Sequence, residues 1–297
     1  MYEKMLYGRR VLYFRYAPPV TNLDDTSARD TQPPYPDAPG YMWSVYYYWW
    51  AFLRLSERYK DCCESGGKGE LADLYTYFGD VRGDDFMQWW TKGGHTRESK
   101  LRMHTGRRLF SQGVRYPIRE INDPMLDKEL GADRIVLSIP VGTDLKRMTA
   151  EFQQLMRPIV EDRIREFGEK KNEALFEVTS KNPSLKSLYK SLTAWEAKQE
   201  FPNLKQYELA KKLGITATFA GDEDDVNHKI AVSTELKRRL DKAKLLIRNV
   251  ERGRFPDFTD YETTGKLVEP PRALREKTTK AKKPSVDLQD MEEPTLI

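Results

Sequence analysis

A regular apolar stripe occupies positions 236–250 of the sequence. Five residues recur there at steps of four, three, four and three: Leu236, Leu240, Ala243, Ile247 and Val250. An α-helix places residues with this spacing on one face. Ser233 and Thr234 offer a side-chain cap for a helix start, and Gly253 is typical of a helix end. The pattern predicts a helix from Ser233 onward that packs on a core, and its heptad-like stripe permits a homodimer.

The other faces of this predicted helix are strongly basic. Positions 237–254 carry eight basic residues: Lys237, Arg238, Arg239, Lys242, Lys244, Arg248, Arg252 and Arg254. Only Asp241 and Glu251 oppose them in that window. The whole chain has a formal net charge of only +4, so the bases are concentrated rather than spread evenly. A concentrated basic face favours contact with nucleic acid, and the alternative is a solvated face of a helical bundle.

A second amphipathic pattern precedes this helix, between Asn203 and Ile215. Three residues fall on one helical face: Leu209, Ala210 and Leu213. The small side chain of Ala210 lets another helix cross closely. Gly214 can adopt the left-handed conformation that ends a helix, after which Ile215 returns to the core.

This helix and turn resemble the first helix and turn of helix-turn-helix DNA-binding proteins. The resemblance covers the three helices predicted between Ser184 and Arg254, and it implies that this region binds DNA. In that family the recognition helix begins shortly after the turn. Here the turn leads instead into four consecutive acids at 222–225, which repel phosphates. We therefore expect a long acidic loop between the two defining helices.

The run from Tyr41 to Lys60 is the most hydrophobic in the chain and is rich in tyrosine and tryptophan. Its uninterrupted apolar part is shorter than the roughly 20 residues that a membrane span needs. We predict a buried helix with these side chains facing inward: Val45, Trp49, Phe52 and Leu53. The alternative is an aromatic platform on which nucleic-acid bases stack.

Two short helices are predicted beyond this run. Residues 70–78 have apolar side chains on one side. Asp84 or Asp85 then caps a helix that holds three aromatic residues: Phe86, Trp89 and Trp90. The aromatic content of both segments indicates one compact helical unit over 41–90.

A small β element is predicted on either side of this unit. Apolar and β-branched runs at 6–16, 114–121 and 133–140 are typical of strands. Thr143 or Asp144 then caps a long helix, which Pro158 would kink. The apolar stripe of that helix consists of Leu145, Met148, Phe152, Leu155, Ile159 and Ile164.

The predicted fold class is therefore mainly α with a small β element, an α+β fold. The predicted division is an N-terminal strand and proline-rich arm at 1–40, an aromatic-rich α+β core domain at 41–182, a three-helix, helix-turn-helix-like region at 183–256 and a disordered tail at 257–297.

A second basic segment lies at 92–119, where eight basic residues face Glu98 as the single acid. Glycines make the segment loop-rich, and flexible basic loops suit phosphate contacts. The candidate contacts are Arg97, Arg102, Arg107 and Arg108. The alternative is a surface loop that pairs with acids elsewhere, such as those at 222–225.

Catalytic and metal-binding patterns are weak. Asp85 with Glu98 and Lys100 resembles the metal-binding core of restriction-like nucleases, in which two acids hold a divalent metal and a lysine orients the attacking water. That core places Glu-x-Lys on a strand, whereas residues 93–97 look like a loop. A metal-dependent nuclease is therefore the less favoured alternative to a nucleic-acid-binding protein.

Cysteine usage favours a reducing compartment. Cys62 and Cys63 are adjacent and are the only cysteines, so they form no disulfide framework. Zinc binding by this pair with His95 and His104 lacks the usual C-x-x-C spacing, and we predict neither a metal nor a cofactor. The first 20 residues lack a signal-peptide pattern, so a cytoplasmic protein is expected.

These patterns together predict a nucleic-acid-binding protein, with duplex DNA as the expected partner and no membrane association. It would act as a regulator or a DNA-handling factor of a phage or mobile element. The predicted contacts outside the 92–119 segment are Lys205, Lys211, Lys212, Lys237, Arg238, Arg239, Lys242 and Arg248. The alternative is a structural component of a larger complex, whose basic faces meet acidic protein surfaces.

Overall fold

Helices dominate the structure. The computed structural model describes residues 11–12, 14–19, 33–92, 106–112, 114–115, 144–167, 174–216 and 225–275. The helices are α1 (Val45–Arg54), α2 (Glu57–Glu64), α3 (Ala72–Phe78), α4 (Phe86–Lys92), α5 (Gly106–Phe110), α6 (Leu145–Phe167), α7 (Leu185–Glu200), α8 (Gln206–Lys212), α9 (Val226–Glu251) and α10 (Tyr261–Thr264), with a short 3-10 helix at Gly40–Trp43. This confirms the mainly α prediction.

The chain divides into two compact units. One is formed by residues 1–13 and 113–173, and the other by residues 14–112 and 174–297. This division differs from the predicted one, which placed boundaries after residues 40, 182 and 256. In the structure, the chain leaves the larger unit after Gln112 and returns to it at Ala174.

The smaller unit contains a two-stranded pairing and helix α6. β1 (Val11–Leu12) pairs antiparallel with β2 (Val114–Arg115), with Val11 opposite Arg115. The backbone N–H of Arg147 donates to Oδ2 of Asp144 at 3.2 Å, so Asp144 caps α6 as predicted. The helix continues through Pro158 without a break. The predicted strand at 133–140 lies outside the described residues.

The core of the larger unit is built around α1. The four side chains predicted to face inward, Val45, Trp49, Phe52 and Leu53, are all buried. Tyr46 stacks on Phe110 with 4.7 Å between ring centroids, and on Trp90 with 5.3 Å. The base-stacking alternative is wrong for these rings, because they pack against one another in the interior.

Helices α3, α4 and α5 close this aromatic core. The backbone N–H of Gln88 donates to Oδ1 of Asp85 at 2.8 Å, which confirms a cap at the start of α4. The indole N–H of Trp89 donates to the carbonyl of Phe78 at 2.9 Å. Gly106 lies so close to Trp89 that a Cβ atom there would sit 2.5 Å from the ring.

The C-terminal helices belong to the same core. Leu188 and Leu192 of α7 and Leu246 and Val250 of α9 are buried in one cluster with the α1 side chains. Phe255 packs 5.7 Å from the ring centroid of Trp49. Helices from both sides of the predicted boundary at 182 therefore share one hydrophobic core.

The segment at 257–275, which follows α9, folds back on the larger unit. Nδ2 of the buried Asn249 donates to the carbonyls of Asp257 and Thr259, each at 2.9 Å. The hydroxyl of Tyr77 donates to the carbonyl of Ala273 at 3.0 Å. Residues 257–275, which the sequence assigned to the tail, therefore make tertiary hydrogen bonds to α3 and α9.

Candidate nucleic-acid interface

Helices α8 and α9 pack through a small hydrophobic cluster of their own. Its buried members are Ala194, Leu209, Ala210, Ile215, Val232 and Leu236. Gly214 has φ of +62°, and the N–H of Ile215 donates to the carbonyl of Ala210 at 3.0 Å. Helix α8 therefore ends before a left-handed glycine, and the chain returns to the hydrophobic cluster at Ile215. Helices α8 and α9 meet at this cluster, and both carry basic side chains on their exposed faces.

The long helix begins earlier than predicted. α9 starts at Val226 rather than near Ser233, and Oδ1 of Asp225 accepts the N–H of Asn227 at 2.9 Å. The hydroxyl of Ser233 lies inside the helix, where it donates to the carbonyl of Lys229 at 2.7 Å. A serine hydroxyl can cap a helix or bond back to an earlier turn, so the sequence alone did not separate the two. The resulting helix has 26 residues and is about 39 Å long.

An open cleft lies between the start of α8 and the N-terminal half of α9. We call it the corner cleft; it is lined by Gln206, Val226, Lys229, Ile230, Ser233, Thr234 and Lys237, with a volume of about 300 Å³. Its apolar residues are unusually exposed for their type, at 68% for Val226 and 58% for Ile230. This second stripe of α9 was not predicted from the sequence, although positions 226, 230, 234 and 237 have helical spacing.

Two lysines, Lys229 and Lys237, line the corner cleft. The ammonium of Lys229 lies 5.7 Å from the ring centroid of Tyr207. Lys237 is exposed on the same stripe, and Lys205, also exposed, immediately precedes Gln206 at the start of α8. Of the predicted contact residues, Lys237 therefore lines the corner cleft, and Lys205 is next in sequence to the cleft residue Gln206.

The other two predicted residues of α8 lie at its far end. Lys211 and Lys212 are exposed but do not line the corner cleft. The ammonium of Lys212 lies 4.1 Å from the ring centroid of Phe201, which positions it beside the α7–α8 turn. These lysines form a separate basic edge.

Arg238 and Arg239 share one acid, Glu235. Arg238 approaches Oε2 of Glu235 at 2.8 Å, and Nε of Arg239 approaches Oε1 at 2.9 Å. Burial opposes the charged form of Glu235, but hydrogen bonds from Arg239 and Arg238 outweigh it and hold its pKa below the ordinary value. The side chain of Arg238 is 63% exposed and that of Arg239 only 16%. Of these two arginines, only Arg238 therefore faces solvent enough to meet a partner.

The C-terminal part of α9 is covered by the segment that follows it. Nη1 of Arg248 lies 3.0 Å from Oε2 of Glu262, and Nη2 of Arg252 lies 3.4 Å from Oε1 of the same residue. The ammonium of Lys242 lies 5.9 Å from the ring centroid of Phe258. The excess of bases in the sequence at 237–254 is thus partly balanced by acids that the fold brings in from residues 257–262.

The second basic segment is only partly described. Arg107 and Arg108 are exposed on α5, whose Leu109 and Phe110 are buried in the aromatic core. Arg97 and Arg102 lie outside the described residues. Arg107 and Arg108 are therefore exposed on α5, a helix that does not line the corner cleft.

The candidate metal-binding residues have structural roles where they are described. Cys62 and Cys63 are buried free thiols, and burial raises the pKa of the Cys63 thiol to about 12. Asp85 caps α4, while Glu98, Lys100 and both candidate histidines lie outside the described residues. Among the residues described, no group of three or more His, Cys, Asp or Glu side chains could hold a metal ion.

Comparison with known proteins finds no matching protein family, no similar curated protein and no similar solved structure. In the described part of the chain, no helix has both the length and the apolar character that crossing a membrane requires.

Proposed function

We propose that the protein binds nucleic acid, with duplex DNA as the preferred form, through the corner cleft and the N-terminal half of α9. The observation that carries this proposal is the set of side chains on one concave surface, where Lys229 and Lys237 lie beside the amide of Gln206 and the hydroxyl of Thr234. Lysines neutralise phosphates, and amides and hydroxyls bond to base edges or phosphates.

The exposed side of α9 suits a groove of DNA. The major groove admits one α-helix, and α9 leaves the face at 226–237 open beside α8. In this proposal Lys205, Lys237 and Arg238 contact phosphates, and the amide of Gln206 faces the bases. The hydroxyl of Thr234 donates to the carbonyl of Ile230 at 2.8 Å, so it meets the bases only as an acceptor. Phosphate contacts set the position of the protein on the duplex, and base contacts give it sequence preference.

The remaining predicted residues have secondary roles in the proposal. Contacts with the DNA phosphate backbone outside the cleft come from Lys211 and Lys212 and from the arginines at 97, 102, 107 and 108. Arg239, Lys242 and Arg248 stabilise α9 through partners within the chain. A helix-turn-helix-like regulator or DNA-handling factor fits this arrangement, with the acidic loop before α9 as its departure from that family.

A second candidate function is favoured by the apolar residues of the same cleft. Val226 and Ile230 are 68% and 58% exposed. Exposed apolar side chains rimmed by polar ones are typical of protein interfaces. A structural component of a larger complex would use them to hold a protein partner.

Fluorescence anisotropy with labelled duplex DNA, single-stranded DNA and RNA, each at two salt concentrations, tests the proposal. We expect duplex DNA to bind most tightly and to bind more weakly as salt rises, because binding releases counterions from the phosphates. Absence of binding to all three at low salt would contradict the proposal and leave the protein-interface function in its place.

A further inference from the structure

We propose that residues 287–297 of this chain dock in the corner cleft and compete there with anionic partners. The cleft combines exposed apolar side chains, Val226 and Ile230, with Lys229 and Lys237. A surface of this kind selects a segment that carries both apolar side chains and carboxylates. Nucleic acid satisfies the lysines but leaves most of the apolar surface without a matching partner.

The C-terminal sequence has this complementary chemistry. Residues 287–297 contain four acids, Asp287, Asp290, Glu292 and Glu293. Apolar residues alternate with them and follow them: Leu288, Met291, Leu296 and Ile297. The segment contains no basic residue, so every one of its charged side chains is attracted to the lysines of the cleft.

The described chain ends within reach of the cleft. Pro271 packs against Gly253 at the end of α9, and the N–H of Arg275 donates to the carbonyl of Pro271 at 3.1 Å. Along α9, the cleft residue Thr234 lies about 24 Å from Val250, which is one turn before Gly253. An extended link from Arg275 to Asp287 spans up to about 40 Å. The segment can therefore reach the cleft of its own chain, even around the width of a helix.

Docking of this segment would regulate the cleft. Its carboxylates occupy the lysines that phosphates would otherwise contact, and its apolar residues cover Val226 and Ile230. The docking itself does not depend on the proposed function. A further consequence is weaker binding of duplex DNA while the segment is docked. This consequence rests on the proposed function.

The test uses the full chain and a fluorescein-labelled peptide of residues 287–297. A tail-disabled variant carries Leu288→Ser, Asp290→Asn, Met291→Ser and Glu292→Gln, which leave every described residue in place. We expect this variant to bind the labelled peptide, and the wild-type chain to bind it at least about tenfold more weakly because its own segment occupies the cleft.

Substitutions in the cleft identify the binding surface. In the tail-disabled chain, Lys237→Glu or Ile230→Ser should weaken peptide binding by about tenfold or more, whereas Lys244→Glu, on the same helix outside the cleft, should not. Ile230 and Lys237 are exposed, so these changes leave the core intact. No peptide binding by the tail-disabled chain, or equal binding by the cleft variants, would overturn the proposal. Because the assay contains no nucleic acid, its outcome is independent of whether the protein binds DNA.

Discussion

Nε of Arg239 lies 2.9 Å from Oε1 of Glu235, one turn earlier on α9. Arg238 approaches the other carboxylate oxygen of the same residue, so a single acid holds two adjacent arginines. The two arginines nevertheless differ in exposure. Arg239 is held against the helix surface, and Arg238 extends into solvent.

This difference in exposure predicts that the two arginines contribute unequally to the stability of the fold. Arg239→Ala should lower the free energy of unfolding by about 1–2 kcal/mol, because it removes a sheltered, charge-assisted hydrogen bond. Arg238→Ala should change it by less than about 0.5 kcal/mol, since exposed pairs contribute little. Urea denaturation of both variants measures the two values. Equal decreases in stability would contradict the assigned roles.

The shared carboxylate also predicts a pH dependence of stability. The pKa of Glu235 in the folded chain is lowered, whereas the unfolded value is about 4.3. Its charged form therefore stabilises the fold above that pH, and the contribution disappears as pH falls through the folded pKa. Denaturation at several pH values should show wild type more stable than Glu235→Gln at neutral pH, with the difference shrinking below about pH 4. A constant difference across this range would argue against the pairing.

Hydrogen bonds from the side chain of Asn249 hold the start of the segment at 257–275 against α9. Asn249→Ala should destabilise the protein by about 1–3 kcal/mol, because the carbonyls of Asp257 and Thr259 would no longer have their donor in a site that excludes water. Limited proteolysis should then cut more rapidly at the basic residues between 266 and 275. Asn227→Ala is the matched control, since Asn227 is exposed on the first turn of α9. Unchanged proteolysis in Asn249→Ala would show that the segment is held by other interactions.

The close approach of Gly106 to Trp89 leaves no room for a larger side chain at position 106. Gly106→Ala should cost about 1–3 kcal/mol, because the added methyl would press on the ring of Trp89. Gly83→Ala provides the control, since a Cβ there meets no atom within 4 Å. Thermal unfolding followed by tryptophan fluorescence compares the two. If both variants unfold at the same temperature, α5 does not pack on α4 as described.

Local patterns predicted much of this fold. The apolar stripe of α9, the cap at Asp85 and the left-handed Gly214 depend on neighbours a few residues apart, so the sequence contains the information directly. The start of α9 was missed because the Ser233 hydroxyl bonds within the helix, and Asp225 acts as the cap instead.

Features that depend on residues distant in sequence could not be predicted in this way. The pairing of Arg248 with Glu262 and the role of Asn249 appear only once residues 257–262 fold back on α9. The corner cleft likewise requires Gln206 of α8 to lie beside Ile230 of α9. The charge pattern along one helix therefore identified the basic region, but it did not show which of its members are paired within the chain.

The salt dependence of duplex DNA binding by Lys237→Ala tests whether DNA occupies the corner cleft. Anisotropy titrations at several salt concentrations give the slope of log affinity against log salt, whose steepness is about 0.9 for each phosphate that the protein neutralises. We expect Lys237→Ala to reduce the steepness by about one and Lys244→Ala, an exposed lysine of α9 outside the cleft, to leave it unchanged. Identical slopes for wild type and Lys237→Ala would contradict the placement of DNA in the corner cleft.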